Sequence, residues 1–235
     1  MNPTDTQHND KTRLAQVQSV LADDLKAAGR APGACSLIVV SKTQSAERLA
    51  PLVQGQPLAL GENYLSGAWP KIKALGNVCE WHFIGAIQSN KTADIAEHFD
   101  WVHTLDRLKI ARRLNDQRPA GAKALKVLIQ VNLDDEPQKA GCHPSELPEL
   151  AAQIAALPNL ELKGLMSIPK PNADDPGQPH RKLAQCLADL QAAHPGMTEL
   201  SMGMSADMTA AVAAGATRVR IGTAIFGPRP PKDTR

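Results

Sequence analysis

The feature that most constrains this chain is a repeated alternation. Short, near-continuous apolar runs such as Leu37-Ile38-Val39-Val40 and Val127-Leu128-Ile129 are followed by longer stretches with helical spacing of apolar residues. Runs that are apolar on both faces fit parallel strands covered by helices better than a half-solvated antiparallel sheet. The spacing predicts strands over Cys35–Ser41, Leu58–Glu62, Trp81–Gly85, Trp101–Leu105, Leu125–Asn132, Leu160–Ser167, Glu199–Met204 and Arg218–Gly222. Helices are expected over Ala46–Gln54, Arg107–Asn115, Ser145–Leu157, Arg181–Ala193 and Asp207–Ala214, and the most open loop is Pro169–Pro179. Eight strands alternating with helices predict an α/β fold, a single (β/α)8 TIM-type barrel, with an open doubly wound sheet as the fallback. A length of 235 residues suits one such barrel.

An additional N-terminal helix is expected ahead of the first strand, where Leu14, Val17, Leu21 and Leu25 recur at helical spacing with Val20 beside them. Asp10 is the expected N-cap, with Gly29 and Pro32 as the stop. Residues 1–9 are expected to be disordered and residues 10–235 to form one domain. Little chain follows the last strand, so the N-terminal helix is expected to cover the place of a full eighth helix. The balance of 26 basic and 24 acidic residues, with 3% aromatics, argues against a nucleic-acid partner. No apolar run reaches the length of a membrane span. The scattered cysteines Cys35, Cys79, Cys142 and Cys186 form no zinc or redox motif and fit reduced thiols in the cytoplasm.

In a barrel of this kind, functional groups gather where strands end. The first strand ends in Val40-Ser41-Lys42-Thr43. An amine at that position could be a Schiff-base lysine, because burial favours its neutral, nucleophilic form. It could equally turn out to solvent, and the residues alone leave both readings open. The seventh and eighth strands end in Gly203-Met204-Ser205 and Gly222-Thr223, at the loops that usually hold a phosphate in this fold. Ser205 as a helix N-cap and Gly222 as a tight turn are the plainer alternatives. Barrel closure sets strand eight beside strand one, a geometry suited to a phosphorylated aldehyde pinned at both ends. Arg220 is expected to point toward the mouth between them, or else to pair with a carboxylate. His82 and His103 are expected to be satisfied core histidines. Cys142-His143 carries no metal set, and Tyr64 is expected to pack or to hydrogen-bond.

Several collinear motifs then become specific together: Val40-Ser41-Lys42-Thr43, Gly61-Glu62-Asn63-Tyr64, Trp81-His82-Phe83-Ile84-Gly85 with Gln88-Ser89-Asn90-Lys91, Gly164-Leu165-Met166, Leu200-Ser201-Met202-Gly203-Met204-Ser205 and Val219-Arg220-Ile221-Gly222-Thr223-Ala224-Ile225-Phe226-Gly227. In these the chain resembles the pyridoxal-phosphate homeostasis protein family, whose barrel is like the N-terminal domain of alanine racemase. The resemblance implies pyridoxal 5′-phosphate held covalently as a Schiff base on Lys42, with Asn63 near the ring. It places Met204 and Ser205 in contact with the cofactor, Ser205 at the phosphate, Arg220 at the pyridine nitrogen, and Gly222 and Thr223 in the phosphate loop. An arginine there keeps the nitrogen unprotonated and weakens the ring as an electron sink. Gln44 stands where many relatives have a second lysine, Ala86-Ile87 replaces a more usual Pro-Leu, and Thr209 replaces an acidic residue.

The implied function is a cytoplasmic, monomeric protein that carries pyridoxal phosphate, contributes to vitamin B6 homeostasis and makes transient contact with enzymes that use the cofactor, without appreciable catalysis of its own. The alternative is an amino-acid racemase of the related fold, which needs acid–base groups on both faces of the substrate carbon. A phosphosugar enzyme on an ordinary barrel is a third class, and it would not need Lys42 as an imine.

Overall fold

The computed structural model describes residues 3–134, 140–170 and 174–228. At its centre is a closed barrel of parallel strands in chain order. They are β1 (Ser36–Val40), β2 (Leu58–Glu62), β3 (Cys79–Phe83), β4 (Trp101–Leu105), β5 (Leu125–Gln130), β6 (Leu160–Met166), β7 (Glu199–Ser201) and β8 (Arg218–Ile221). The barrel closes through β1 and β8, with Leu37 opposite Val219, Ile38 opposite Arg220 and Val39 opposite Ile221. Around it run α1 (Pro3–Ala27), α2 (Ala46–Val53), α3 (Leu65–Leu75), α4 (Thr92–His98), α5 (Leu108–Gln117), α6 (Leu147–Ala155), α7 (Gln178–Gln191), α8 (Met208–Ala213) and α9 (Thr223–Phe226). The expected barrel is thus the observed one.

The outer faces of the strands are apolar because helices cover them. Val39, Leu60, Val102 and Val127 pack under the helices in the main core. Trp101, Leu128 and Met166 form a separate buried cluster on the inner face of the barrel. The helices α3 and α4 escape a periodicity reading: Gly67 and Pro70 interrupt the first, and the second is short. Strand β7 stops at Ser201, before the expected end at Met204. The cause is Gly203 at φ +90°, where a Cβ would lie 2.5 Å from that of Ala211. Only glycine accommodates both that backbone and that contact as the chain turns toward α8.

The N-terminal helix differs from expectation at its start. It begins at Pro3, so residues 3–9 are helical rather than disordered, and Asp10 lies inside the helix instead of capping it. Tertiary contact explains this. Asp10 is fully buried, and Arg48 of α2 reaches it with two hydrogen bonds, Nε to Oδ2 at 2.6 Å and Nη2 to Oδ1 at 2.9 Å. Arg48 also donates to the Phe226 carbonyl at 3.2 Å and lies over the Phe226 ring, 5.2 Å from its centroid. Leu14, Val17, Leu21 and Leu25 are buried as expected, while Val20 is exposed. Each such burial contributes about 1.5–3 kcal/mol. The single turn α9 stands where a full eighth helix would, and α1 packs against α2, α8 and α9 to cover that gap. Residues 1–2, 229–235 and residues 171–173 of the open loop lie outside the described residues.

Asp10→Ala removes the carboxylate that holds Arg48 to α1. It is expected to cost about 2–3 kcal/mol, read as a lower urea midpoint with an unchanged slope. A loss below about 0.5 kcal/mol, the ordinary range for surface changes, would mean that the pair does not anchor α1.

Candidate functional site

A cavity of about 200 Å³ opens where β1, β2, β7 and β8 end. Lys42, Asn63, Met204, Ser205, Arg220, Gly222 and Thr223 all line it, so every site residue expected from the sequence meets at one place. Val40, Ile84, Ile168 and Phe226 supply apolar wall that sequence reasoning did not single out. Gln44 lines the cavity as well, and its Oε1 accepts from Arg48 Nη1 at 2.7 Å.

Lys42 leaves the end of β1 through a tight turn. The Ser41 N–H still bonds the Gly61 carbonyl at 3.0 Å, and the Gln44 N–H returns to the Ser41 carbonyl at 3.0 Å. Between them Thr43 adopts φ 72°, a conformation a β-branched residue seldom takes. A buried ion pair braces this turn from below. Lys71 of α3 donates to Glu62 Oε1 at 2.5 Å and to the Ser41 carbonyl at 2.8 Å. The Ser41 hydroxyl donates to the same Glu62 oxygen at 2.5 Å. Ser41, Glu62 and Lys71 are all buried, so the residue that carries Lys42 is fixed by groups that have no water to turn to.

On the other side, Gly222 brings the end of β8 against β1. A Cβ there would sit 3.1 Å from the Val40 carbonyl oxygen and 3.2 Å from Val40 Cβ. This close approach sets the Thr223 turn beside Lys42. The Met204–Ser205 loop is held by Asp207, whose Oδ1 accepts from the Met204 N–H at 2.6 Å and whose Oδ2 lies 3.0 Å from His180 Nε2. Burial works against the Asp207 carboxylate, but these hydrogen bonds keep its pKa below the usual range. Asp207, not Ser205, occupies the N-cap position of α8.

Arg220 is buried in the cavity wall. Its Nη1 donates to Ser201 Oγ at 2.8 Å and its Nη2 to the Ser167 carbonyl at 2.9 Å. Among the described residues its hydrogen bonds thus go to a hydroxyl and a carbonyl rather than to a carboxylate. Burial pushes its pKa down to about 10, which leaves it a cation at neutral pH. Asn63 Oδ1 and Ser167 Oγ are buried polar atoms without a hydrogen-bond partner among the described residues. Buried groups of this kind are rare in native folds, and Asn63 lines the cavity. Ser167 and Ser201 were missed in the sequence, where nothing but their place at strand ends marks them.

Other candidates fall away. Tyr64 is 71% exposed and neither packs as expected nor lines the cavity. His143 accepts from the Ser145 N–H in a local turn, and no metal-holding cluster occurs among the described residues. Burial raises the thiol pKa of Cys35 and Cys79 to about 11 and of Cys142 to about 12, so these thiols are unreactive. Among the described residues, no helix is long and apolar enough to cross a membrane.

The sequence matches the alanine racemase N-terminal domain family over residues 21–230. The pyridoxal phosphate homeostasis protein of Vibrio alginolyticus is 50% identical over 223 residues, covering 92% of this chain and 96% of the relative. Its namesake in Escherichia coli is 48% identical over 231 residues, covering 96% and 97%. PipY of Synechococcus elongatus, solved with pyridoxal phosphate bound, has a TM-score of 0.80 at 34% identity and covers 93% of this chain and 100% of its own. An alanine racemase from Corynebacterium glutamicum shares the fold, with a TM-score of 0.67 at 17% identity; the match covers 62% of that longer chain.

The brace beneath Lys42 gives a direct test of this geometry. Lys71→Ala strands the Glu62 carboxylate and is expected to cost about 3–5 kcal/mol in denaturant unfolding. Replacing both partners, Lys71→Met with Glu62→Leu, should recover most of that loss. A single variant as stable as the parent would show that the pair does not hold the turn.

Proposed function

This chain belongs to the pyridoxal phosphate homeostasis proteins, within the alanine racemase N-terminal domain family, and we propose that it holds pyridoxal 5′-phosphate covalently on Lys42 at the barrel mouth and contributes to the homeostasis of this form of vitamin B6. The observation that carries the reading is the convergence on one cavity of an amine, a fixed guanidinium and the Gly222–Thr223 turn. The residues present fit the cofactor. Asn63 Oδ1 is buried without a hydrogen-bond partner among the described residues, and a Cβ at position 222 would press on Val40, 3.1 Å from its carbonyl oxygen.

When bound, the cofactor supplies an aldehyde and an electron-withdrawing ring. The protein's part is to hold it. Lys42 is the covalent anchor, aimed by the Ser41 brace. Ser205 and Thr223, with the backbone N–H groups of the Gly222–Thr223 turn, receive the phosphate, and each hydrogen bond to that charge contributes about 1.5–3 kcal/mol. Arg220 would donate to the ring nitrogen and disfavour its protonation, because a second cation there would be repelled. Asn63 and Met204, which also line the cavity, would flank the ring.

The same cavity argues for carriage rather than turnover. Among its described lining residues there is no carboxylate, imidazole, phenol or thiol. A second general acid–base group would contribute about 10²–10⁴-fold, and the described lining of the cavity offers none besides Lys42. The described lining of the cavity comes from one chain, and a monomeric carrier is part of the proposal. The unpaired cysteines suit the reducing cytoplasm, where transient contact would pass the cofactor to enzymes that use it.

Borohydride reduction of the loaded protein followed by peptide mapping is expected to place the pyridoxyl group on Lys42. Label on another lysine, such as Lys91, would overturn the assignment. Incubation of the loaded protein with L-alanine and chiral analysis of the product should show no inversion. Inversion that disappears in Lys42→Ala would instead establish a racemase.

A further inference from the structure

A chain of buried polar groups runs from the cavity through the barrel to its opposite mouth. Arg220 Nη1 meets Ser201 Oγ at 2.8 Å. Ser201 Oγ meets His103 Nδ1 at 2.8 Å. His103 Nε2 meets His82 Nδ1 at 2.9 Å, and His82 Nε2 meets Glu80 Oε2 at 3.1 Å. Ser201, His103 and His82 are each 0% exposed. Glu80 stands near the start of β3 with its side chain 38% exposed. It borders a depression at the mouth where strands begin, together with Pro57, Asn77 and Ala124.

The two ends dictate the direction of every link. A guanidinium only donates and a carboxylate only accepts. Burial lowers the pKa of His82 and takes that of His103 well below the ordinary imidazole range, so each ring is neutral with a single N–H. The His82 hydrogen bond, aided by Trp101 and Lys126, holds the Glu80 carboxyl down at about 2 against burial. His82 therefore donates from Nε2 to Glu80, and His103 donates from Nε2 to His82 Nδ1. The Ser201 hydroxyl donates to His103 Nδ1 and accepts from Arg220. Reversing any link would leave two acceptors facing each other at Glu80.

We propose that Ser201, His103, His82 and Glu80 are positioning residues that form a one-way hydrogen-bond relay, aiming Arg220 in the cavity and making its donors sensitive to the charge at Glu80 on the far side of the barrel. Each bond in such a chain polarises the next in a low-dielectric interior. The relay is a property of the chain itself, and only its effect on a bound cofactor rests on the function proposed above.

Glu80→Gln tests it sharply. Glu80 Oε1 faces Trp101 Nε1 at 2.7 Å and Lys126 Nζ at 3.4 Å, both of which only donate. The amide oxygen of the variant must stay there, so its NH₂ faces His82 Nε2 and donates to it. His82 and His103 must then each carry their proton on Nδ1, and the Ser201 oxygen accepts from both His103 and Arg220. In ¹⁵N spectra of histidine-labelled protein without cofactor, both rings should be neutral Nε2–H in the wild type and Nδ1–H in Glu80→Gln. In protein loaded with pyridoxal phosphate, Glu80→Gln should shift the cofactor absorption maximum. The same change made in Ser201→Ala, where the relay is cut, should produce no further shift.

A charged ring or an Nδ1–H form at His82 or His103 in the wild type overturns the relay, whether or not any variant folds. Unchanged tautomers in Glu80→Gln, or equal absorption shifts in both backgrounds, overturn it too. Failure of the wild type to take up pyridoxal phosphate would remove the proposed function instead, and the imidazole spectra would still decide the relay.

Discussion

The pairing of β1 with β8 is the contact on which the rest of the molecule depends. It joins Ser36–Val39 to Arg218–Ile221, segments from near the two ends of the chain. Without it Lys42 would stand at one edge of an open sheet and Gly222–Thr223 at the other. Gly222 comes close to Val40 across this seam, where a Cβ would have to push its neighbours aside by a few tenths of an ångström. The seam also has the longest sequence separation in the barrel, so loop-closure entropy opposes it most strongly. The α1 helix and the one-turn α9 reinforce it from outside.

The barrel interior is unusual in what fills it. Trp101, Leu128 and Met166 supply little apolar volume, and charge occupies much of the rest. Arg218 lies 3.9 Å and Lys126 4.9 Å from the Trp101 ring centroid, while Arg218 Nε pairs with Glu199 at 3.0 Å. Aromatic faces and carboxylates together make these cations tolerable inside the fold. A polar interior is costly when any member is unsatisfied, and this one reaches the cavity at Arg220. The Ser41–Glu62–Lys71 brace does for Lys42 what the Ser201 and Ser167 contacts do for Arg220.

Much of this was legible in the sequence. Apolar runs bounded by turn residues mark the strands, and their ends mark Lys42, Ser205, Arg220, Gly222 and Thr223, because a barrel places strand termini together whatever the loops do; Asn63 and Met204 enter only through the family resemblance. Misreadings arose where a distant partner overruled a local signal. Asp10 looks like a helix cap until Arg48 is set against it. The α3 helix tolerates Gly67 and Pro70 because its Lys71 is bound into the brace. Tyr64 reads as a packing residue only while its direction is unknown. The polar chain was legible in part: Glu80 and His82 alternate along β3 and share a face, as Trp101 and His103 do on β4. What the sequence withholds is that these faces turn inward and that Ser201 bridges them to β8, since the link runs across strands far apart in the chain.

Arg48 carries a consequence of its own. One guanidinium bonds Asp10 in α1, Gln44 beside Lys42 and the carbonyl of Phe226 in the cavity wall. Terminal helices are ordinarily the first part of a fold to open. Here the side chain that ties α1 down also bonds two residues of the cavity wall, so a ligand that binds better when that wall is ordered is linked to the docking of α1. Such a ligand lends part of its binding free energy to the docking of α1. For a ligand of that kind, protection of the α1 amides from solvent exchange would gauge occupancy, and a cut within that helix would weaken binding without removing any residue of the cavity wall.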